Sequence, residues 1–261
     1  MRKIQLVLVA LIVLILSAFK ADHVITIYMI GDSTMSNKPL EGNNQERGWG
    51  HVLGSFFTED VRVENHAMNG RSSKSFIDEG RWETVVNKIR PGDYVFIQFG
   101  HNDEKPQPER HTDPGTTFDE NLRKFVRETR AKGGIPVLFN SIVRRNFGVN
   151  PDAVAADDIR PEKDEAVVEG DTLIDTHGKY LESPRNVAKE MDVCFIDLNQ
   201  ATKKLVESYG VEGSKKLFMW IPADTYAACP KGRQDNTHLN IYGARKLRHW
   251  LPKLFRNSYR S

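Results

Sequence analysis

The sequence predicts an α/β fold, a three-layer α/β/α sandwich around a mainly parallel, five-stranded sheet. Two observations predict it. Short apolar runs typical of strands alternate with segments of helical periodicity, and these runs are nearly continuously apolar, as in parallel sheets covered by helices on both faces. The predicted strands are residues 24–30, 61–66, 93–99, 135–142 and 193–198.

Helical periodicity fills the intervals between these strands. The predicted helices are residues 49–57, 82–89, 118–132, 174–191, 201–209 and 241–255. Neither a repeat nor a linker-like segment interrupts the alternation, so we predict a single domain over residues 22–261. Residues 143–171 are acidic and have no clear period. We predict that they form an insertion over or beside the functional cleft, or else a solvated excursion.

The first 21 residues have the three zones of a secretory signal peptide. Arg2 and Lys3 precede an apolar run at residues 6–16, and small residues follow, up to Ala21. The run is shorter than the ~20 apolar residues that a membrane-spanning helix needs. We therefore predict cleavage and export to the periplasm or the extracellular space, with no stable membrane span in the mature protein. An uncleaved membrane anchor is the alternative.

Signal cleavage also changes the charge of the chain. The whole sequence has 37 basic and 35 acidic residues, and three of the basic ones lie within residues 1–21. The mature chain then carries no net positive charge, which argues against a nucleic-acid partner. Two cysteines, Cys194 and Cys229, are too few for a disulfide-rich scaffold. In an exported protein they can form one disulfide or stay free thiols.

Three small polar loops follow the first three predicted strands. They are residues 31–34, 67–71 and 100–103. Parallel strands end at the same edge of the sheet, and open α/β sheets bind their ligands in the crevice at that edge. We therefore expect these three loops to meet in one cleft and to contain the functional side chains.

Ser33, which follows the first strand, is a candidate nucleophile. A serine hydroxyl needs a base, and the base needs a partner that fixes its tautomer. Asp235 and His238 supply both, three residues apart on a predicted loop or first turn ahead of the last helix. Taken singly, Ser33 is more typical of a helix cap or turn residue, and His238 is more typical of a capping or surface residue. Because these segments are expected to converge at one edge of the sheet, we interpret them together as a catalytic site.

Acyl transfer also needs donors for the oxyanion of the tetrahedral intermediate. Gly70 can present its backbone N–H at close approach because it has no side chain. Asn102 has a neutral side-chain amide, and the backbone N–H of Ser33 is a third donor. Alone, Gly70 and Asn102 would each be interpreted as turn residues.

Four segments of the sequence resemble the four blocks of the SGNH, or GDSL-like, hydrolase superfamily. They are Gly31-Asp32-Ser33, Gly70, Gly100-His101-Asn102-Asp103 and Asp235-Asn236-Thr237-His238. Gly-Asp-Ser-Thr replaces Gly-Asp-Ser-Leu in the first block. Together with Gly48-Trp49-Gly50 and the run from Asn69 to Phe76, the blocks are most similar to the rhamnogalacturonan acetylesterase branch.

This resemblance implies the SGNH-hydrolase, flavodoxin-like fold and an exported esterase that removes acetyl groups from pectic polysaccharide. It further implies Ser33 as nucleophile, His238 as base and Asp235 as its orienting partner, with an oxyanion hole of Ser33, Gly70 and Asn102. The partner would be an acetylated polysaccharide or oligosaccharide. Candidate substrate contacts beside the site are Trp49, which could instead pack in the core, together with Asn69, Arg71, His101 and His177.

The implied mechanism requires no metal and no organic cofactor, and the histidines show no metal-ligand spacing. Two other classes of function remain. An acetylxylan esterase, a broad short-chain esterase or a lysophospholipase of the same superfamily would use the same catalytic residues. A non-catalytic carbohydrate-binding relative would use the same cleft without them.

Overall fold

The computed structural model describes residues 24–148 and 170–248. Its centre is a five-stranded parallel sheet of β1 (Ile25–Gly31), β2 (Val61–Asn65), β3 (Tyr94–Gln98), β4 (Ile135–Phe139) and β7 (Cys194–Ile196). The strand order in this sheet is β2-β1-β3-β4-β7. The predicted fold class is confirmed, and every predicted strand is present, although the structure ends β4 three residues earlier than the sequence suggests.

Alternate residues of each strand are buried on opposite faces of the sheet. On β1, Ile27 and Met29 enter one apolar cluster, whereas Tyr28 and Ile30 enter the other. Both faces are therefore covered, which is why the strands appear in the sequence as continuous apolar runs.

The helices divide between these two faces. The α-helices are α1 (Ser73–Asp78), α2 (Arg81–Val86), α3 (Thr117–Ala131), α4 (Glu182–Met191), α5 (Leu198–Ser214) and α6 (Ile241–Arg248). The first cluster contains residues of the 3₁₀ segment Trp49–Phe56 and of helices α5 and α6, and the second contains residues of α1 to α4. Further 3₁₀ turns are Glu41–Asn43, Gly178–Leu181 and Lys215–Leu217.

The predicted helix at residues 174–191 is wrong in its first half. Strand β6 (Thr172–Leu173) pairs antiparallel with β5 (Phe147–Gly148), and α4 begins only at Glu182. The Asp175 carboxylate accepts hydrogen bonds from the backbone N–H groups of His177 and Gly178 at 2.8 and 3.1 Å. Such local side-chain bonds compete with helix formation, because they offer the backbone N–H groups another partner.

The strands β8 (Phe218–Ile221) and β9 (Arg233–Leu239) form an antiparallel hairpin that the sequence did not predict. Asp235 and His238 therefore lie on a strand, not on the predicted loop or first turn. Met219 is paired with Asp235, but its neighbour Phe218 is paired with Leu239, so residues 236–238 form a bulge. Bulges next to active sites commonly re-aim a side chain.

Several predictions fall wholly or partly outside the described residues. They concern the signal peptide at residues 1–21, most of the insertion at residues 143–171 and the end of the last predicted helix. Within the described ranges, no helix is both long and apolar enough to cross a membrane. Cys194 and Cys229 are not joined to each other, so the structure does not contain the disulfide that was one of the two alternatives.

Candidate active site

The three polar loops and the bulged strand meet in a cleft of about 360 Å³. Ser33, Gly70, Asn102 and His238 all line it, as the position of the loops at the carboxyl edge of the sheet predicts. The other lining residues are Glu46, Asn69, His101, Lys105, Gln107, Arg110, Arg144, Arg233 and Thr237.

Buried hydrogen bonds fix the turn that carries Ser33. The Asp32 carboxylate is fully buried and accepts from the backbone N–H and the hydroxyl of Thr34, at 2.8 and 2.7 Å. On its other side, the Gln98 side-chain amide of β3 donates to Asp32 at 3.2 Å. Burial raises the pKa of Asp32, against the effect of the Thr34 bonds. The turn is thus anchored to the sheet, and Ser33 is held at its edge.

Ser33, His238 and Asp235 form a continuous chain of hydrogen bonds. The Ser33 Oγ lies 2.9 Å from His238 Nε2, and His238 Nδ1 lies 2.8 Å from Asp235 Oδ2. The second oxygen, Asp235 Oδ1, accepts from the backbone N–H groups of Thr237 and His238 at 2.7 and 3.0 Å. The bulge in β9 therefore folds around the carboxylate and directs the imidazole to Ser33.

A line of alternating charges lies behind Asp235. Arg233 bonds both Asp235 and Glu46, the latter at 2.6 Å, and Glu46 in turn bonds Lys38 at 2.7 Å. Burial acts to raise the pKa of Asp235, but the His238 hydrogen bond and the Arg233 charge outweigh it, and this pKa lies well below its ordinary value. Asp235 is therefore ionised at every working pH.

This line of ion pairs was not predicted from the sequence. Glu46 and Arg233 are 187 positions apart, so no local pattern joins them. The single available signal was the position of Arg233, two residues before Asp235 on the same strand.

Three potential hydrogen-bond donors belong to residues that line the cleft, namely Ser33, Gly70 and Asn102. Within the described residues, the backbone N–H groups of Ser33 and Gly70 have no hydrogen-bond acceptor. Gly70 has a φ of +75°, a left-handed conformation that favours glycine. The Asn102 side-chain amide donates one hydrogen to the Arg71 carbonyl at 3.1 Å, which leaves its second hydrogen for another acceptor. The set has the composition of an oxyanion hole.

Asp103 ties the loop after β3 to the start of α1. Its buried carboxylate accepts from the backbone N–H and the hydroxyl of Ser73, at 3.0 and 2.5 Å. It also accepts from the Thr112 hydroxyl and the Gly100 N–H, at 3.0 and 3.1 Å. Burial raises the pKa of Asp103 to about 7, although the Ser73 and Thr112 hydrogen bonds oppose the rise.

The raised pKa of Asp103 makes the free energy of unfolding depend on pH. Between about pH 4 and pH 7 the native protein holds a proton that the unfolded chain has released, so stability must fall as the pH rises through this window. We expect this group to contribute up to about 4 kcal/mol below pH 4 and to have lost that contribution above pH 7. Urea unfolding of the wild type and Asp103→Asn at pH 4.5 and 8 measures it.

The variant should lose most of this pH dependence, because a neutral amide does not titrate. Asp78→Asn, which removes an exposed carboxylate paired with Lys74 at 2.8 Å, is the matched control. An equal pH slope in wild type and Asp103→Asn would refute the assignment to Asp103.

Comparison with known families identifies the chain. Residues 29–246, which include all four loop and strand segments of the cleft, match the GDSL-like Lipase/Acylhydrolase family. The chain belongs to this family. The resemblance predicted from the sequence is thereby confirmed, and the protein is a carboxylic ester hydrolase.

Two relatives are similar to this chain over most of their length. The chain is 39% identical over 223 residues to rhamnogalacturonan acetylesterase RhgT of Bacillus subtilis (strain 168). The aligned region covers 85% of this chain and 86% of the relative. It is 30% identical to the probable rhamnogalacturonan acetylesterase YesY of the same strain, over 89% of this chain and 92% of that one.

Solved structures give the same fold. The crystal structure of the Bacillus subtilis protein YxiM has a TM-score of 0.67 at 26% identity. The superposed region covers 89% of this chain and 56% of the YxiM chain. An acetylxylan esterase from Geobacillus stearothermophilus has a TM-score of 0.54 at 17% identity, over 88% of this chain and 93% of that one. At 17% identity the second similarity shows the fold alone.

Two of the five residues predicted as substrate contacts in this esterase line the cleft. Asn69 is exposed there and accepts from Lys38 and Ser36 at 2.5 and 2.7 Å. His101 is 3% exposed, and neither ring nitrogen has a hydrogen-bond partner among the described residues. Burial, with the nearby charges of His177 and Arg144, holds the pKa of His101 well below its ordinary value, so the ring is neutral.

The other three predicted contacts do not line the cleft, and for Trp49 the structure confirms the alternative of packing in the core. Trp49 is 1% exposed, packs against Phe139 and donates to Gln98 at 2.7 Å, so it is a core residue. The Arg71 side chain bonds Glu79 at 3.0 Å and does not line the cleft. His177 is buried behind the cleft wall. Their proximity in sequence to the catalytic blocks did not reveal which way each side chain points.

The fold also brings together three potential metal ligands, although their spacing in the sequence suggested none. The ligand atoms of His101, Glu104 and His177 lie within 4.8 Å of one another. Glu104, however, already bonds Arg144 with one oxygen and His177 Nδ1 with the other at 2.8 Å, and His177 Nε2 is 3.1 Å from the Ile142 carbonyl. Since these bonds occupy the ligand atoms of Glu104 and His177, we assign no metal to the group.

Proposed function

We propose that this protein is an exported acetylesterase that hydrolyses O-acetyl esters on pectic polysaccharide through a serine, histidine and aspartate mechanism. The observation that carries the proposal is the hydrogen-bond chain from Ser33 Oγ through His238 to Asp235, at 2.9 and 2.8 Å, on the wall of an open cleft. A non-catalytic carbohydrate-binding protein would have no need of this aligned chain.

In the first half-reaction, His238 Nε2 takes the Ser33 proton while Oγ attacks the acetyl carbonyl carbon. The carbonyl oxygen becomes negative and is stabilised by the backbone N–H groups of Ser33 and Gly70 and the Asn102 amide. When the tetrahedral intermediate collapses, the bond to the sugar oxygen breaks and His238 returns the proton to that oxygen. The sugar hydroxyl leaves, and the acetyl group stays on Ser33.

In the second half-reaction, water takes the position of the sugar hydroxyl. His238 accepts a proton from the water as it attacks the acetyl-enzyme, and then donates it to Ser33 Oγ as acetate departs. The ionised Asp235 keeps Nδ1 of the imidazole protonated, so that Nε2 is free to accept, and stabilises the imidazolium that forms in each half.

The choice of an acetyl ester and a pectic substrate is supported by the two Bacillus relatives, both named as rhamnogalacturonan acetylesterases. Export to the periplasm or extracellular space is supported by the basic and apolar zones of residues 1–21. The remaining residues 22–261 would then be a single esterase domain.

Acetate release by the mature protein tests the proposal. The substrates are acetylated rhamnogalacturonan, homogalacturonan and xylan, with Ser33→Ala as the blank. We expect release from rhamnogalacturonan well above that from xylan. Release from xylan alone, or from small activated acetates alone, would keep the esterase mechanism and refute the pectic substrate. Release from none of them would revive the non-catalytic relative.

A further inference from the structure

The cleft is lined by more positive than negative side chains. Among the described lining residues, Lys105, Arg110, Arg144 and Arg233 are basic and Glu46 is the single carboxylate. Two of these basic residues are held by carboxylates, since Arg144 bonds Glu104 and Arg233 bonds both Glu46 and Asp235. The excess of positive charge favours an anionic ligand.

Arg110 differs from the two paired arginines. Among the described residues it bonds no carboxylate, and its one hydrogen bond runs from Nη1 to the Asn102 side-chain oxygen at a long 3.4 Å. Its Nε–H is buried without an acceptor. The side-chain oxygen of Gln107, three residues earlier in the same cleft wall, is buried without a donor. Buried polar atoms without partners are uncommon and costly, so both atoms are suited to bond a ligand that enters the cleft.

We propose that Arg110 binds the carboxylate of the acidic sugar whose acetyl group is removed. This inference rests on the proposed function. The guanidinium group offers two parallel N–H donors that match the two oxygens of a carboxylate. A uronic acid carries its carboxylate and its esterified hydroxyl on the same ring, so the two groups must be bound within one sugar of each other.

The position of Arg110 meets this requirement. Its contact with Asn102 sets it beside the predicted oxyanion donor, on the same cleft wall. Gln107 then offers its unpaired oxygen to a sugar hydroxyl. A neutral polysaccharide such as xylan would leave the Arg110 charge without a partner, and Arg110 therefore selects for uronic acid esters.

The competing role of Arg110 is to orient the Asn102 amide. Loss of that role would lower the turnover of every ester alike, whereas loss of carboxylate binding would lower only the reaction with charged substrates. The test therefore compares substrates as well as variants. It uses an acetylated rhamnogalacturonan oligosaccharide, the same oligosaccharide with its carboxylates methyl-esterified, and 4-nitrophenyl acetate.

We expect the wild type to prefer the free acid to its methyl ester by about 10- to 100-fold in kcat/KM, the value of a charge-assisted hydrogen-bonded pair. In Arg110→Gln this preference should vanish because kcat/KM for the free acid falls, whereas kcat/KM for the two neutral esters should change far less. Arg110→Lys, which keeps the charge without the two-pronged geometry, should retain part of the preference. Arg62→Gln, which removes an exposed arginine outside the cleft, is the matched control.

Three results would overturn the inference. An equal loss on all three substrates would assign Arg110 to the orientation of Asn102. A wild type indifferent to methyl esterification, or an Arg110→Gln protein that retains the full preference, would exclude carboxylate binding by Arg110 while leaving the pectic activity intact. Failure of the proposed function has a different signature, because the wild type would then release no acetate from either pectic oligosaccharide.

Discussion

Replacing Ser33 with alanine is expected to lower kcat for acetate release by about 10⁴- to 10⁶-fold. The substitution removes the oxygen that lies 2.9 Å from His238 Nε2, so no acetyl-enzyme can form. The backbone N–H groups of residue 33 and Gly70 are retained, and with Asn102 they should leave a small residual rate above that of water. Steady-state kinetics with 4-nitrophenyl acetate and with acetylated pectin measure the loss.

Ser55→Ala is the control for this change, because Ser55 is an exposed serine outside the cleft. It should retain the wild-type kcat, and circular dichroism should show that both variants are folded. The effects on kcat of replacing residues that act as one unit are not additive. The double variant with His238→Ala and Ser33→Ala should therefore have a kcat no lower than that of Ser33→Ala alone. A folded Ser33→Ala protein with wild-type turnover would remove Ser33 from the mechanism.

Asp235→Asn is expected to lower kcat by about 10⁴-fold while KM changes little. The carboxylate accepts from His238 Nδ1 at 2.8 Å, which leaves Nε2 unprotonated toward Ser33. An asparagine that turned its amide nitrogen to Nδ1 would hold the opposite tautomer, with the proton on Nε2, and the imidazole could no longer accept the serine proton. Steady-state assays at a pH near neutrality measure kcat and KM separately.

The exposed Asp78→Asn is the matched control and should keep the wild-type kcat. Arg233 stabilises the ionised form of Asp235, so the variant also loses one partner of an ion pair, and its thermal unfolding should be followed beside the kinetics. A loss that appeared only in thermal stability, with kcat within a few fold of the wild type, would make Asp235 a structural residue.

The sequence determined the sheet and three of the four segments of the candidate site. Buried parallel strands must be apolar on both faces, so each strand stands out as an apolar run and its carboxyl end can be placed from the sequence. Ser33, Gly70 and Asn102 each follow such a strand, and topology alone then requires them to meet at one edge.

Only the tertiary structure decided how the remaining groups point. Asp235 and His238 meet Ser33 because β9 bulges in its pairing with β8, and bulges leave no periodic trace in a sequence. The line from Lys38 through Glu46 to Arg233 joins segments far apart in the chain, and Trp49 turned out to be a core residue instead of a sugar contact. Sequence patterns report which face of an element is buried, whereas the direction of a single polar side chain depends on partners that folding brings from elsewhere in the chain.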